Sequence, residues 1–291
     1  MNEYITGTKF SELADFSVAD TARVDKTKED LCKYKIPRHV KITSEVKKQI
    51  ELSKIFFIQP NSLSYFACSV LPHIINNFIL ITHNSSYTVG LMDTTIDSME
   101  EIKTASNKII NNEKLFRWFG LNMMPGNKCE GILDGLPDPY LLPEIKYKIL
   151  QDNKLNLKTN LIYINFSTKT HKCRPKILDK IIKNGFKKNN GKDWDKFIEE
   201  LSTYKFCACP RGNGVDTYRM YEALCLNVIP VVEKNIIIYN YFNDLPILWI
   251  DNWDIITPEY LNMKYEEIEN KSYNLDKLNF SYWKEKILNM L

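Results

Sequence analysis

The sequence predicts an α/β protein of parallel strands joined by crossover helices, and three observations carry that prediction. Short continuous apolar runs recur at 55–58, 78–82 and 161–166, each of buried-strand length. Segments of helical periodicity, not tight hairpin turns, separate them. The chain has 291 residues, enough for two domains, and the alternation starts afresh after residues 126–143, a stretch with glycines at 126, 131 and 135 and prolines at 137, 139 and 143.

Taken in order, residues 1–50 are polar and charge-mixed with a helix over 44–52. Ile55-Phe56-Phe57-Ile58 is a strand stopped by Pro60, and 63–76 has helical periodicity ending at the paired Asn76-Asn77. A strand at 78–82 and a helix over 97–110 follow, and the aromatics of 115–119 read as core. The polar segment 151–159 marks the boundary between a first domain, 1–155, and a second, 156–280. The second domain opens with strand 161–166, loop 167–174 and a helix over 175–183, where Pro175 suits a first helical turn. Helix 194–201, strand 206–209, helix 217–225 and strand 228–232 continue it, and the apolar run 236–238 is of strand length. A terminal helix over 281–291 is expected to pack back on the first domain.

Composition excludes several classes. Lys and Arg total 39 against 36 Asp and Glu, so the net charge of +3 lacks the concentrated basic surface that tracks phosphates, and nucleic acid is not an expected partner. Hydrophobic residues at 44% and charged residues at 26% give no case for disorder. Seven scattered cysteines, an odd number, read as reduced thiols, with Cys207 and Cys209 as packing residues on one face of a strand. Without a leader pattern or an apolar run of membrane-spanning length, the expected location is the cytoplasm and no transmembrane segment is expected.

The chemistry concentrates in residues 206–232, ordered strand, glycine loop, helix, strand. Gly212 and Gly214 allow a ligand close to the backbone, and Asp216 is placed to cap the helix, whose first N–H groups and positive dipole end suit a diphosphate. Arg219 and Glu222 are three apart on one helical face, the cation suited to phosphate oxygens and the carboxylate to ribose hydroxyls. A helical ion pair is the competing role for the two. The loop lacks the Gly-Lys-Ser/Thr of a P-loop and the third glycine of a dinucleotide fingerprint.

These residues resemble the exostosin-like glycosyltransferases, in particular compact soluble members found in large DNA viruses and some microbes. The similarity is sharp from Phe206 to Trp253, over Pro210-Arg211-Gly212-Asn213-Gly214-Val215-Asp216-Thr217-Tyr218-Arg219-Met220-Tyr221-Glu222-Ala223-Leu224, Ile229-Pro230-Val231-Val232 and Leu245-Pro246-Ile247-Leu248. The resemblance implies a GT-B fold, two facing Rossmann-like domains with a cleft between them, and a nucleotide-sugar donor, such as a UDP-sugar, held by the second. It also implies inverting transfer to a glycan acceptor without a metal or other cofactor, in the host cytoplasm for a viral member. A non-catalytic nucleotide-sugar or carbohydrate binding protein is the alternative. The expected donor site comprises Arg211, Gly212, Asn213, Gly214, Asp216, Arg219 and Glu222, with Thr170 and Arg174 covering the phosphates from the loop after strand 161–166. Lys169 and Lys172 read as solvated.

A general base must take the acceptor proton, and His83, just past the strand at 78–82, is the candidate, with Arg219 assisting the leaving group. Asp93, Asp97, Glu130 and Asp134 are alternatives, and resembling proteins often carry an Asp where this chain has Ser86. Asn122 is expected to reach the same region. Asp193-Trp194-Asp195 spells a metal-binding Asp-x-Asp but precedes an amphipathic helix instead of following a buried strand, so helix capping is its expected role and no metal site is assigned.

Overall fold

The computed structural model describes residues 3–19, 34–91, 99–139, 141–191 and 193–290. The chain forms two compact α/β units, Met1–Asp134 with Asn279–Leu291 and Gly135–Leu278. Each is built on a parallel sheet, an architecture compatible with Rossmann-like domains.

In the first unit the elements run α1 (Gly7–Glu12), β1 (Phe16–Ala19), β2 (Tyr34–Pro37), α2 (Ser44–Leu52), β3 (Ile55–Ile58), α3 (Leu63–Tyr65), β4 (Phe78–Thr82), α4 (Glu100–Ile110), β5 (Leu115–Gly120) and β6 (Cys129–Gly131). The described strands pair in the order β2-β1-β3-β4-β5-β6, all parallel, with Ile55 opposite Ile79 and Ile81 opposite Phe119. Every residue of β3 and β4 is buried, which is why both read as continuous apolar runs and not as alternating ones.

The structure departs from expectation in two places here, in residues 1–50 and in the helix expected over 63–76, and it adds a strand at 115–120 whose Leu115, Trp118 and Phe119 lie in the core as read from the sequence. Residues 34–37 and 16–19 are strands, although the polar composition of 1–50 conceals them; each is only four residues long. The aromatics of 115–119 form β5, where Trp118 is fully buried and its Nε1 donates to Thr82 Oγ1 at 2.9 Å, leaving no unmet indole N–H. The helix expected over 63–76 is broken into α3, a π turn at Phe66–Val70 and a 3-10 turn at Leu71–His73. Pro72 lacks the N–H that an α-helix needs at that point.

The second unit contains α5 (Lys148–Asn153), β7 (Asn160–Tyr163), α6 (Arg174–Lys183), α7 (Trp194–Leu201), β8 (Tyr204–Ala208), α8 (Tyr218–Cys225), β9 (Ile229–Glu233), α9 (Ile236–Phe242), β10 (Leu248–Ile250) and α10 (Pro258–Glu269). Its parallel sheet has the order β10-β9-β8-β7. One face is covered by Ile177 and Ile181 of α6 and Leu261 and Ile268 of α10, packed with Ile162, Phe206, Val231 and Ile250. On α7, Phe197 lies 5.8 Å from the ring of Tyr163 in β7.

The division between the units falls at Asp134/Gly135, not near residue 155, and Gly135 takes a left-handed φ of 78° that favours glycine. Residues 135–155 join the second unit because their side chains engage it: Leu150 is fully buried, Lys146 Nζ pairs with Asp195 at 3.0 Å, and α5 packs on α7. The apolar run 236–238 is helical, in α9, whose first turn is capped by Asn235 Oδ1 accepting from Ile237 N at 2.9 Å. The last helix, α11 (Phe280–Leu288), belongs to the first unit: Trp283 and Ile287 are fully buried, Phe280 meets Phe10 edge-on at 5.4 Å, and Lys286 pairs with Glu130 at 2.7 Å. No helix among the described residues is long and apolar enough to cross a membrane.

Candidate functional site

The sheet of the second unit places a small cavity of about 180 Å³ at the carboxyl ends of β7 and β8. It is lined by Asn165, Phe166 and Ser167 on one strand exit, Ala208, Cys209 and Pro210 on the other, and by the two arginines Arg174 and Arg219. Carboxyl ends of parallel strands are where open α/β sheets hold ligands.

Arg219 is carried on the first turn of α8. Its Nε donates to Glu222 Oε2 at 3.2 Å, its Nη1 donates to the Asn165 carbonyl at 2.5 Å, and its Cζ lies 4.0 Å from the centroid of the Phe197 ring. Burial works against this charge, but Glu222 and the nearby thiols of Cys207 and Cys209 favour it, and the guanidinium is held more basic than usual. A guanidinium has five N–H donors, so three remain beyond these two bonds.

Glu222 is almost wholly buried, at 4% exposure, and both its oxygens are engaged: Oε1 accepts from Trp194 Nε1 at 2.8 Å and Oε2 from Arg219. The pair on one helical face is therefore formed within the protein itself, and a ribose hydroxyl would have to share the remaining lone pairs of this carboxylate.

Arg174, at the first turn of α6, is a brace. Nε donates to the Arg211 carbonyl at 2.8 Å, Nη1 to that of Ser167 at 3.1 Å and Nη2 to that of Pro210 at 2.9 Å, so one side chain ties the exits of β7 and β8 together. Burial lowers its pKa from the ordinary value. Two of its N–H donors remain for a ligand, in contrast to the free phosphate clamp expected from the sequence. Lys169 and Lys172 are exposed.

The glycine loop follows. Gly212 N donates to Gly214 O at 3.0 Å, and the exposed Asn213 accepts from Arg211 Nη2 at 3.3 Å through its carbonyl. Neither glycine has a left-handed φ. Gly212 is instead closely flanked: a Cβ built there would lie 3.4 Å from Arg174 Nη2 and 3.6 Å from Thr170 Cγ2, so Thr170, Arg174 and Gly212 do converge. Asp216 is not the N-cap of α8. Thr217 holds that position without a side-chain cap bond, and buried Asp216 accepts from Thr217 N at 2.6 Å through Oδ1, because the chain enters the helix one residue later than Asp216 capping requires.

His83 is held inside the first unit. It is 1% exposed, its Nδ1 lies 2.9 Å from Asn84 Oδ1 and its Nε2 3.1 Å from the Leu133 carbonyl, and its ring packs on Phe10 at 5.4 Å. Both ring nitrogens face protein oxygens and the ring is closed to solvent, so an acceptor hydroxyl would have to displace one of these contacts. The role the geometry gives it is to tie Asn84 to Leu133 within the first unit. Of the alternatives, Glu130 is ion-paired with Lys286, Asp134 is half-buried, and Asp93 and Asp97 lie outside the described residues. Asn122 is buried with a left-handed φ of 51° and donates from Nδ2 to the Ser86 carbonyl at 3.4 Å.

Asp193 occupies the N-cap position of α7 but makes no side-chain cap bond, while Asp195 accepts from Lys146. Among the described residues no three or more His, Cys, Asp or Glu side chains converge as a metal-binding group, and all six described cysteines are free. Burial raises the Cys209 thiol well above its usual range, consistent with packing.

Sequence reasoning missed Trp194, Phe197 and Asn165. Trp194 and Phe197 are three apart on α7 and therefore share a face, and the aromatic pair beside a predicted cation was the available signal. Asn165 contributes a backbone carbonyl, for which no sequence signal exists.

Fold and site together define a two-unit α/β protein with a paired-arginine cavity at the carboxyl edge of one parallel sheet. No protein-family model and no curated protein matches the chain.

Proposed function

We propose that this chain is a metal-independent inverting glycosyltransferase of the exostosin-like kind, taking a nucleoside diphosphate sugar, a UDP-sugar first, as donor and a glycan hydroxyl as acceptor. The observation that carries the proposal is the cavity at the ends of β7 and β8, into which two arginines with five uncommitted N–H donors between them are gathered beside the 210–217 loop. In this reading Arg219, Arg174 and the first amides of α8 hold the diphosphate, and Arg211, Gly212, Asn213, Gly214 and Thr170 shape its approach. Glu222 serves the donor chiefly by orienting Arg219. The acceptor oxygen attacks the anomeric carbon and the bond to the diphosphate breaks. Its electron pair leaves on the phosphate, where the guanidinium and helix dipole stabilise it, and the acceptor proton passes to a base. The facing GT-B arrangement and a cytoplasmic setting are part of the proposal and come from the resemblance.

A second reading, a nucleotide-sugar binding protein without turnover, is favoured by one observation, the fully engaged and buried ring of His83. One titration series addresses both. UDP and UDP-sugars are titrated calorimetrically in the presence of a chelator, with Arg219→Ala alongside. Binding that is about 10- to 100-fold weaker in the variant supports the site. No binding by folded wild-type protein refutes it, and rescue by magnesium or manganese refutes metal independence. Donor hydrolysis or transfer to sugar acceptors then separates the enzyme from the binding protein.

A further inference from the structure

A second, larger cavity of the second unit lies at the opposite edge of its sheet, away from the arginines. It measures about 440 Å³, within the range of small-molecule sites, and is formed where β7, β9 and β10 begin. Its walls combine Leu224 of α8, Val228 and Ile229 at the start of β9, Pro246 before β10 and Ile268 of α10. Leu155 also lines it and is nevertheless 89% exposed, an apolar side chain with an uncovered surface at the cavity.

Its charged groups are three lysines, Lys154, Lys158 and Lys271, against one carboxylate, Glu269, which accepts from the Tyr265 hydroxyl at 3.2 Å. Among the described residues none of the three lysines has an ion-pair partner. Lys158 has a structural duty: its ammonium donates to the Ser202 carbonyl at 2.6 Å and the Leu226 carbonyl at 2.8 Å, the C-caps of α7 and α8. It thereby offsets the negative dipole ends of two helices that would otherwise repel an anion from this edge. Burial without a carboxylate partner lowers its pKa to about 8. Lys154 and Lys271 are left as unneutralised cations beside an apolar wall.

We infer that this cavity is a binding site for an amphipathic anion, an acyl chain of medium length ending in a carboxylate or phosphate, with the chain along Leu155, Val228, Ile229 and Ile268 and the head on Lys154 and Lys271. The apolar part of the lining favours a ligand with a hydrocarbon portion over a bare inorganic anion, and Lys154 and Lys271, without ion-pair partners among the described residues, favour an anionic head over a neutral one. The site is independent of the nucleotide-sugar reading and stands or falls separately from it.

The test titrates decanoate and decyl phosphate, both below their micellar concentrations, into the full chain by calorimetry, with decanol and inorganic phosphate as controls. Saturable one-to-one binding of the two anions, at least tenfold tighter than either control, is expected. Lys154→Glu and Lys271→Glu, both on partly or fully exposed side chains, should each weaken it by about tenfold while the thermal midpoint stays unchanged. Ile268→Asn serves as a tail-side variant and should also weaken decanoate. Equal binding of decanol, or binding unaffected by both lysine changes, overturns the inference. So does absence of saturable binding together with lysine-dependent attachment to anionic vesicles, which would make the patch a membrane contact instead.

Discussion

The buried carboxylate of Glu222 is the point where the candidate site and the stability of the second unit meet. Truncating it by Glu222→Ala removes the acceptor of two half-buried donors. Trp194 Nε1, on a half-buried side chain, loses the acceptor it holds at 2.8 Å, and an unmet donor costs ~1–3 kcal/mol, the upper end applying to full burial. Arg219 loses its counter-ion, and removing one partner of a buried pair costs ~3–5 kcal/mol, but the Arg219 side chain is 26% exposed and keeps Asn165 and the Phe197 ring, so we halve that figure. The expected loss is therefore about 2.5–5.5 kcal/mol. Glu222→Gln keeps one acceptor oxygen but turns an amide N–H₂ toward one of the two donors, and should cost about 1–2 kcal/mol. Urea unfolding followed by far-UV circular dichroism, with m compared across variants, measures both. A double variant, Glu222→Ala with Arg219→Met, should cost less than the sum of the singles, because the orphaned charge is gone. Glu222→Ala within 1 kcal/mol of the wild type would refute the reasoning, since it would mean that neither bond is held in solution.

Arg174→Lys keeps the charge but cannot reach three carbonyls in one plane; it should lower stability by about 1–3 kcal/mol and weaken UDP binding in the folded remainder, read by the same unfolding curves and by calorimetry. His83→Leu leaves the Leu133 carbonyl unpaired and should lower the thermal midpoint by an amount corresponding to about 1–3 kcal/mol, whereas a catalytic role would reduce turnover at unchanged stability. Gly212→Ala meets only ordinary contacts and needs no left-handed backbone, so stability should move by less than ~1 kcal/mol; a drop in UDP affinity at constant stability would mark a backbone that a ligand approaches. Lys158 has a folded pKa of about 8 against 10.5 when unfolded, so the unfolded chain holds more protons in that window, and stability should gain a contribution as pH rises from 8 to 10.5 and lose it as pH falls back through 8. Lys158→Met should flatten that part of a stability-against-pH curve.

What could be read from the sequence, and what could not, divides along a physical line. Fully buried parallel strands such as β3 and β4, and the buried stretches of β8 and β9, show themselves because burial on both faces demands apolar residues in succession, and helices such as α7 show themselves by an apolar stripe at helical spacing. The four-residue strands β1 and β2 give too short a run to stand out among charged neighbours, and the proline of the 71–73 turn breaks a periodicity that otherwise reads as one helix.

The candidate site follows the same division. Arg219 and Glu222 were placed on one face by a spacing of three, and their contact at 3.2 Å follows from helix geometry alone. What decides their chemistry lies far along the chain: Trp194 takes the other oxygen of Glu222 from 28 residues away, and Asn165 offers Arg219 a backbone carbonyl from 54 residues away. His83 shows the consequence most plainly. A histidine past the end of a buried strand looks the same in sequence whether it faces a substrate or the Leu133 carbonyl 50 residues on, because periodicity reports which face a side chain takes and not which partner it finds there. The donor capacity of the cavity is likewise a property of leftovers, the N–H groups that remain after Arg174 and Arg219 have satisfied distant carbonyls and a carboxylate. Only the assembled second unit determines how many there are.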